Sequence, residues 1–346
     1  MATKMKGFVK KAGGELKDHH LELTQSVIDL MEQSKALNWE RPIFVCNEMP
    51  FNPVTGTKYK GINVVSLMTA RFEDPRFMTY KNVEELAKKS GSDIHVKKRA
   101  KGIPVFKAVQ LFFSDKTSGD VEGEEEGGAK SFWKMKYAGT VFNASQIEGI
   151  APYVKRERAT GSHEEFEHLA EALKERTSLK IEHSELGRAF YSPSQHLVHM
   201  PNKERFKSLE SYIDTSLHEF GHSTGPALGR DMSGGKETAA YAKEELVAEL
   251  SSVFMAAGIG IVHDIRRHEN HAAYLESWLQ ALKNDKSLIF SAAQKASKAT
   301  EYQLSHLHAY KQEHGLEKST IIKTPALDIP KIEKPVEEKK TVVLSM

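Results

Sequence analysis

The pattern of hydrophobic and polar positions predicts a mixed α+β module in the first 150 residues. Apolar residues recur at helical spacing from 20 to 37, which predicts an amphipathic helix. Residues 39–67 are interrupted by three prolines and two glycines, so we expect a long, shaped loop there. A short helix is expected at 82–90. The stretches 93–113 and 131–147 are rich in β-branched and aromatic residues and predict the two strands of a hairpin.

A proline and a cluster of charges at 151–163 predict a linker between this first module (20–150) and a second one (164–315). The second module is expected to open with a helix and three short strands and to continue with helices. The expected ranges are 164–176 for the first helix, 179–183, 188–192 and 196–200 for the strands, and 208–224, 237–257 and 263–314 for the later helices. The fold class is therefore α+β in two domains.

Composition and charge are those of an ordinary globular protein. The chain has 346 residues, with 39% hydrophobic and 28% charged residues and a formal net charge of +2. Residues 1–150 hold 23 Lys and Arg against 19 Asp and Glu, and much of that acid is concentrated at 120–128. We read this acidic run as a solvated loop, which leaves the rest of the first half distinctly positive.

The single Cys46 excludes an internal disulfide and a cysteine-rich zinc cluster, so any metal must be bound by histidines and carboxylates. The N-terminal stretch lacks the apolar run of a signal peptide, and no later stretch is long and apolar enough to span a bilayer. The sequence predicts a cytoplasmic protein with no membrane partner. Segments 1–19 and 316–346 are expected to be a flexible basic lead and a disordered tail.

The stretch SLHEFGHSTG contains the H-E-x-x-H pattern, with His218, Glu219 and His222 in its three defined positions. On a helix the two histidines point the same way, so both imidazoles can bind one ion at about 2.0–2.1 Å. A helical wheel places them opposite the apolar stripe of that helix, which consists of Leu209, Tyr212, Ile213, Leu217 and Phe220. We therefore expect both histidines to face a cleft.

A catalytic zinc needs a third protein ligand and an open position for water. The downstream stretch KEELVAEL places Glu245 and Glu249 one helical turn apart, with Glu244 on the far side. We favour Glu245 as the third ligand to Zn²⁺ and Glu249 as the hydrogen-bond partner of a ligating histidine, although the two roles can be exchanged. Glu219 would be the general base. The plain alternative is a solvated helix face whose histidines bind nothing.

The first half also has the composition of a surface for single-stranded nucleic acid, which needs basic residues along the backbone and aromatic faces for the bases. Residues 88–107 contain seven basic residues against the lone Asp93, and aromatic residues lie in the loop before them. A charge run is more often only a solvated face, and aromatic residues more often belong to the core. The candidate DNA-contact residues are Trp39, Lys58, Tyr59, Lys60, Lys97, Lys98, Arg99 and Lys101.

Both halves resemble the ArdC-type antirestriction proteins of conjugative plasmids, which are related to the N-terminal region of TraC-type primases. The resemblance rests on motifs in order over residues 20–260: WERPIF, NPVTGTKYKGINVVSL, KKRAKGIPV, VFNASQIEGI, AFYSPSQHLVHMP, HEFGHSTG and YAKEELVAEL. The chain departs from the family in an acidic insertion near 115–130 and in its extended C-terminal tail.

This resemblance implies an N-terminal domain that binds single-stranded DNA and a zincin-like metallopeptidase domain, which protect incoming plasmid or phage DNA from restriction. It implies His218, His222 and Glu245 as ligands and Glu219 as the base. Possible protein partners are a peptide substrate or a restriction enzyme, and strand 196–200 is expected to be the sheet edge along which a substrate aligns. Two alternatives stay open: a non-catalytic DNA-binding protein with a structural metal, and a DNA-dependent protease that acts on DNA-bound proteins.

Overall fold

The computed structural model of the chain describes residues 18–36, 48–112, 131–154, 162–232, 238–261 and 271–316. Among the described residues, the N-terminal half contains three α-helices and five strands. The helices are α1 (His19–Ala36), α2 (Ile62–Thr69) and α3 (Tyr80–Ser90). The strands are β1 (Phe77–Thr79), β2 (His95–Val96), β3 (Ile103–Phe112), β4 (Ser131–Asn143) and β5 (Ile147–Glu148). Among the predictions, Trp39, the acidic run, residues 155–161 of the linker and most of the lead and tail fall outside the described residues.

The predicted hairpin is confirmed as the antiparallel pair β3 and β4, whose register runs from Ile103 opposite Val141 to Phe112 opposite Ser131. Strand β1 adds to the other edge of β4, which gives the order β1-β4-β3. Strands β2 and β5 form a separate two-stranded sheet. This half therefore combines a small antiparallel sheet with helices on the same chain segment, as an α+β fold requires.

Helix α2 and strand β1 were not expected, and most of α2 lies inside the stretch predicted to be a loop. Val64, Val65 and Leu67 are buried on different sides of that helix, so no amphipathic period distinguishes it from an apolar strand or loop. Long-range contacts position the helix: the Asn63 amide donates to the Phe106 carbonyl, and its oxygen accepts from the Phe106 N–H.

The C-terminal half contains five helices and three strands among the described residues. The helices are α4 (Ser162–Thr177), α5 (Leu209–Ser223), α6 (Ala239–Gly258), α7 (His271–Asn284) and α8 (Leu288–Glu313). The strands are β6 (Lys180–Ser184), β7 (Phe190–Ser192) and β8 (Leu197–Pro201). Of the helical region expected at 263–314, residues 263–270 lie outside the described residues, and the rest forms α7 and α8, with a break between Asn284 and Leu288.

The three C-terminal strands form one sheet in the order β6-β8-β7, and β8 is its central strand. Strand β8 pairs in parallel with β6 and antiparallel with β7, so both of its edges are used. The expectation that residues 196–200 form a free sheet edge is therefore wrong. The five residues of β8, from Leu197 to Pro201, are all buried, as is typical of an internal strand. The edge strand on the side of α5 is β7.

The largest hydrophobic cluster joins the two halves of the chain. Val27 and Met31 of α1 and Val64 of α2 belong to the same cluster as Val253 of α6 and Trp278 of α7. Ion pairs between α1 and α7 border it: Lys35 with Glu276 (2.6 Å) and Glu32 with Lys283 (2.7 Å). The two halves thus share buried apolar surface, while the boundaries at 150 and 164 stay a prediction. No helix in the described ranges combines the length and apolarity of a membrane span.

Candidate metal centre

Helix α5 carries the H-E-x-x-H motif and packs against α6, the helix with the downstream glutamates. Side-chain caps begin both helices: Ser208 accepts from the Ser211 N–H at the start of α5, and Thr238 accepts from the Tyr241 N–H at the start of α6. Four of the five predicted stripe residues of α5 are buried, whereas Leu209 is 42% exposed in the first turn. Burial of the other four on the sheet and α4 directs the opposite face of α5 toward α6.

Gly221, inside the motif, permits the close approach of these two helices. A Cβ at this position would lie 3.0 Å from the Ala248 carbonyl oxygen and 3.1 Å from its Cα. Any larger residue would push the two backbones apart, and the histidines of α5 would then move away from the glutamates of α6. No role for Gly221 was expected from the sequence, although a glycine inside a helix is a signal of close backbone contact.

His218, His222 and Glu245 form a buried group in which one donor atom of each lies within 4.8 Å of the others. His218 Nε2 lies 3.2 Å from His222 Nε2 and 3.2 Å from Glu245 Oε2, and His222 Nε2 lies 3.6 Å from Glu245 Oε1. Three donors bound tetrahedrally to one ion at about 2.1 Å would be about 3.4 Å apart. The side chains present therefore fit a divalent metal site.

The second ring nitrogen of each histidine faces its own carboxylate. His218 Nδ1 lies 3.3 Å from Glu249 Oε2, and His222 Nδ1 lies 3.2 Å from Glu244 Oε1. A histidine that donates its Nδ1–H in this way presents the lone pair of Nε2, the nitrogen in the cluster, to a metal. The expected hydrogen bond of Glu249 is thus present. The expectation that Glu244 projects to the far side is wrong.

The reason for the unexpected position of Glu244 is Arg230, which comes from the loop after α5. The Arg230 guanidinium is 3% exposed and donates to Glu244 Oε1 at 2.9 Å. It also donates to the Gly221 carbonyl and to the Thr224 hydroxyl, both at 2.7 Å. The loop covers the side of α6 that carries Glu244, so this glutamate is buried between a cation and a histidine. A helical wheel of α6 alone contains no information about that loop.

The electrostatics of the group favour charged side chains in the absence of a metal. Burial acts to lower the pKa of His222, but Glu245 and Glu244 outweigh it and raise the pKa to about 9. Burial likewise opposes protonation of His218, yet Glu245 and Glu249 hold its pKa well above the ordinary value. Burial alone would raise the pKa of Glu245, whereas the two histidines hold it far below. The histidines are thus surrounded by negative charge, as ligands of a cation are.

Glu219 lies beside this group with a different environment. It is 7% exposed, and burial raises its pKa, while His218 and His222 act in the opposite direction. The backbone of Tyr191 on β7 also acts to lower this pKa. A carboxylate with a raised pKa is a better proton acceptor near neutral pH than an exposed one. Tyr191 was not among the expected site residues.

A cavity of about 240 Å³ opens onto these side chains. Its walls come from the motif helix α5, from the start of α6 and from the edge strand β7, which contributes Phe190 and Tyr191. The expectation that the motif faces a cleft agrees with this cavity, although both histidines are less than 9% exposed. The space next to Glu219 is therefore a narrow one, bordered by a strand with an unused edge among the described strands.

The structure separates the predicted DNA-contact residues into two groups. Lys97, Lys98, Arg99 and Lys101 are all exposed on the turn between β2 and β3. Lys58 and Lys60 are exposed on a second segment, and Lys60 forms an ion pair with Glu301 of α8 at 2.7 Å. Tyr59 is partly buried against the core, its hydroxyl donates to the Phe77 carbonyl, and burial raises its pKa to about 12.

Two family profiles match the chain. The N-terminal domain of the anti-restriction factor ArdC matches residues 17–142, and a zincin-like metallopeptidase domain matches residues 168–295. The crystal structure of the metal-free antirestriction protein ArdC from plasmid R388 has 30% sequence identity and a TM-score of 0.64, over 85% of this chain and 99% of that one. The chain belongs to the ArdC antirestriction family.

Further relatives agree with membership of the ArdC family. The Mn(II)-bound structure of the R388 protein has 30% identity and a TM-score of 0.59, over 84% of this chain and 98% of that one. An uncharacterized protein, y4eC, of Sinorhizobium fredii (strain NBRC 101917 / NGR234) is 31% identical over 73% of the chain and 80% of its own length. The zincin-like match implies a divalent metal, for which the His-His-Glu group offers the donors.

Two DNA primases named TraC, both from Escherichia coli, are also similar. One is 34% identical over 88% of the chain, and the other is 35% identical over 80%. The chain spans only 28% and 19% of the length of these two proteins. The two-domain α+β architecture expected from the sequence is confirmed by the two profile matches and by the R388 structure.

Proposed function

We propose that this ArdC-family protein binds single-stranded DNA through its N-terminal half and carries a zinc-dependent peptidase site in its C-terminal half. The observation that carries the peptidase proposal is the arrangement of His218, His222 and Glu245, whose donor atoms match one tetrahedral ion, beside the buried carboxylate of Glu219. The setting we propose is the protection of incoming plasmid or phage DNA from restriction in the cytoplasm.

In this proposal His218 and His222 bind the metal through Nε2, and Glu245 binds it through a carboxylate oxygen. Glu249 and Glu244 orient the two imidazoles from their Nδ1 sides. A bound Zn²⁺ would supply Lewis-acid chemistry and make a neighbouring water acidic enough to ionise near neutral pH. Glu219 would accept a proton from the water that attacks the peptide carbonyl, and would pass it to the amine that is released when the C–N bond breaks; its raised pKa suits it to hold that proton.

A protein substrate would enter along β7 rather than β8. Strand β7 is at the edge of the sheet, and Phe190 and Tyr191 line the cavity that opens onto Glu219. An extended segment could add to this edge through backbone hydrogen bonds, as peptides do at exposed sheet edges. Tyr191 of this strand and Glu219 line the same cavity, so the same strand would position the substrate next to the base.

The exposed turn with Lys97, Lys98, Arg99 and Lys101 supports the proposal of DNA binding. Four cations on one turn form a local positive surface, and phosphate contacts of this kind make the affinity fall steeply with salt concentration. We propose these residues, with Lys58, Lys60, Tyr59 and Trp39, as DNA contacts. Of these, the exposed lysines and Arg99 are best placed to reach a phosphate backbone.

The test of the peptidase proposal is Glu219→Gln. We expect this variant to bind Zn²⁺ with the affinity of the wild type, because the three donors are unchanged, and to lose any cleavage of a protein substrate. Metal content is measured on the purified protein, and cleavage is measured on denatured casein and on a purified restriction enzyme. Cleavage that survives in Glu219→Gln would exclude Glu219 as the base.

A second candidate function is a non-catalytic DNA-binding protein in which the metal only organises the fold. The observation that favours it is the burial of the site: His218, Glu219, His222 and Glu245 are between 4% and 8% exposed. In that case Glu219→Gln would leave the protection of transferred DNA unchanged in a conjugation assay, whereas His218→Ala would impair it. The peptidase proposal expects both variants to lose protection.

A DNA-dependent protease is the third candidate, and the hydrophobic cluster shared by α1, α2, α6 and α7 favours it. A shared core gives DNA bound in one half a physical route to the other. This candidate expects cleavage to rise when single-stranded DNA is added. An unchanged cleavage rate would exclude this candidate and favour a peptidase whose activity does not depend on DNA.

A further inference from the structure

A cavity of about 530 Å³ lies in the N-terminal half and shares no lining residue with the metal centre. It is bordered by the loop between α2 and β1, by the turn that follows β4 and by residues 150–153, the start of the predicted linker. Among the described residues with a role proposed above, Lys97 lines this cavity, but no role has been assigned to the cavity itself. A volume in this range is typical of sites for small organic groups.

The floor of this cavity is a rigid, neutralised ion pair. Arg76 and Asp74 are 4% and 8% exposed, and Arg76 Nη2 lies 2.8 Å from Asp74 Oδ2. Arg76 also donates to the Ala151 carbonyl at 2.9 Å, and the Asn143 amide donates to the Asp74 carbonyl at 2.7 Å. Because these charges are satisfied within the protein, the floor gives the cavity a fixed shape and little net charge.

Two aromatic rings border the opening. Phe72 is 36% exposed, and its ring packs edge-on against Phe77 with centroids 6.3 Å apart, so an exposed aromatic ring is fixed in place. The Tyr153 ring lies over the Arg76 guanidinium at 5.4 Å, and its hydroxyl donates to Glu48 at 2.5 Å. Aromatic side chains with a few polar groups are typical of the lining of sites for small organic ligands.

The other charged residues of the wall are Arg71, Glu73 and Lys97. Arg71 has a left-handed backbone with φ of 56°, a conformation that non-glycine residues rarely adopt and that is enriched at functional sites. Lys97 belongs to the same turn as Lys98, Arg99 and Lys101. The cavity therefore adjoins the exposed basic surface proposed to bind DNA.

From this arrangement we infer that the cavity is a nucleotide pocket, in which one base of single-stranded DNA stacks on Phe72 while Arg71 and Lys97 contact the adjoining phosphates. This inference rests on the proposed DNA binding and deepens it by naming the site that receives a base. Stacking on an aromatic ring tolerates any base, because every base has a flat face.

The pocket also gives a physical reason to prefer single strands. A base must leave the stack to enter a cavity, which costs little in a single strand but requires the loss of a base pair and its stacking in a duplex. Contacts of Lys98 and Arg99 with phosphates make no such distinction. The pocket should therefore control the preference for single strands, and the exposed turn should control the affinity for both forms.

The experiment compares Phe72→Leu with a matched control, Tyr80→Leu, in the full-length protein. Tyr80 is an exposed aromatic residue of the same half, at the start of α3, and does not line the cavity. Affinities for a single-stranded and a duplex oligonucleotide are measured by fluorescence anisotropy at fixed salt. We expect Phe72→Leu to weaken single-strand binding by roughly 5-fold or more, to leave duplex binding unchanged, and Tyr80→Leu to alter neither.

Photo-crosslinking with a 5-iodouracil oligonucleotide provides a second measurement on the wild-type protein, independent of any effect of a substitution on folding. We expect the crosslinked peptide to contain Phe72 or Tyr153. Equal single-strand affinities of Phe72→Leu and Tyr80→Leu, or crosslinks only at other peptides, would overturn the pocket and leave DNA binding intact. A wild-type protein that binds neither oligonucleotide would overturn the pocket and the proposed DNA binding together.

Discussion

The metal centre and the N-terminal cavity differ in how far their charged side chains are buried. At the metal centre the four carboxylates and two histidines of α5 and α6 are almost fully buried, and both histidines have a carboxylate at each ring nitrogen. At the cavity only the floor pair of Arg76 and Asp74 is buried, whereas Lys97 and the neighbouring cations of its turn are exposed.

This difference in burial decides what each site can bind. Buried charges are tolerated only when they are paired and hydrogen-bonded, so the metal centre is a closed network that fits one small cation. Exposed cations cost little and release their counterions when a polyanion binds. The following predictions test this contrast, from the largest expected effect to the smallest.

Arg230→Met should show how much the closed network depends on its outer cation. The substitution leaves Glu244 buried with one partner fewer, and loss of one member of a buried ion pair typically costs about 3–5 kcal/mol. We expect the free energy of unfolding to fall by that amount in urea denaturation with EDTA present. The matched control is Arg205→Met, which breaks an exposed pair with Glu185 and should cost less than about 1 kcal/mol. Equal losses of unfolding free energy in the two variants would contradict the expected difference between a buried and an exposed ion pair.

His218→Ala should remove a donor from the metal site. We expect affinity for Zn²⁺ to fall by at least about 100-fold, because loss of an outer hydrogen-bonding partner alone typically costs about 10- to 100-fold. The affinity is measured by competition with a chromophoric chelator, and circular dichroism checks that the variant is folded. His163→Ala, at a histidine of α4 that is not in the group, should bind the metal like the wild type.

Glu249→Gln should weaken the site by a smaller factor, because it removes charge from the partner of His218 Nδ1 but keeps a hydrogen-bond acceptor. We expect Zn²⁺ affinity to fall by about 10-fold, at the low end of the range for outer partners. Glu171→Gln, which only breaks an exposed pair with Lys174, is the control. A reduction as large as that of His218→Ala would instead make Glu249 a metal ligand and exchange its role with Glu245.

The double variant Lys98→Ala/Arg99→Ala should have the smallest effect at any one salt concentration, since each exposed cation neutralises one phosphate. For single-stranded DNA we expect the slope of log affinity against log salt to become about 1.4 less steep, that is, about 0.7 for each of the two cations removed. Anisotropy titrations from low to moderate salt measure this slope. An unchanged slope would place the DNA elsewhere than on the turn between β2 and β3.

Local patterns were sufficient for the helices and strands with a clear period. The H-E-x-x-H spacing and the one-turn spacing of Glu245 and Glu249 predicted which side chains share a helix face, and the structure brings them together. The β3 and β4 hairpin was predictable from the β-branched and aromatic residues of two stretches that flank the acidic run. Helix α2 was not, because a short helix buried on several sides has no polar face to mark it.

The sequence by itself determined the types of element and the two facing sets of potential ligands, because backbone periodicity alone decides which residues of a helix lie side by side. Only the tertiary structure decided which other groups surround these ligands. Arg230 turns Glu244 toward His222, β7 rather than β8 forms the free edge beside Glu219, and the segment after β4 encloses a cavity against the loop after α2. Each of these depends on contacts between segments far apart in the chain, which no local period encodes.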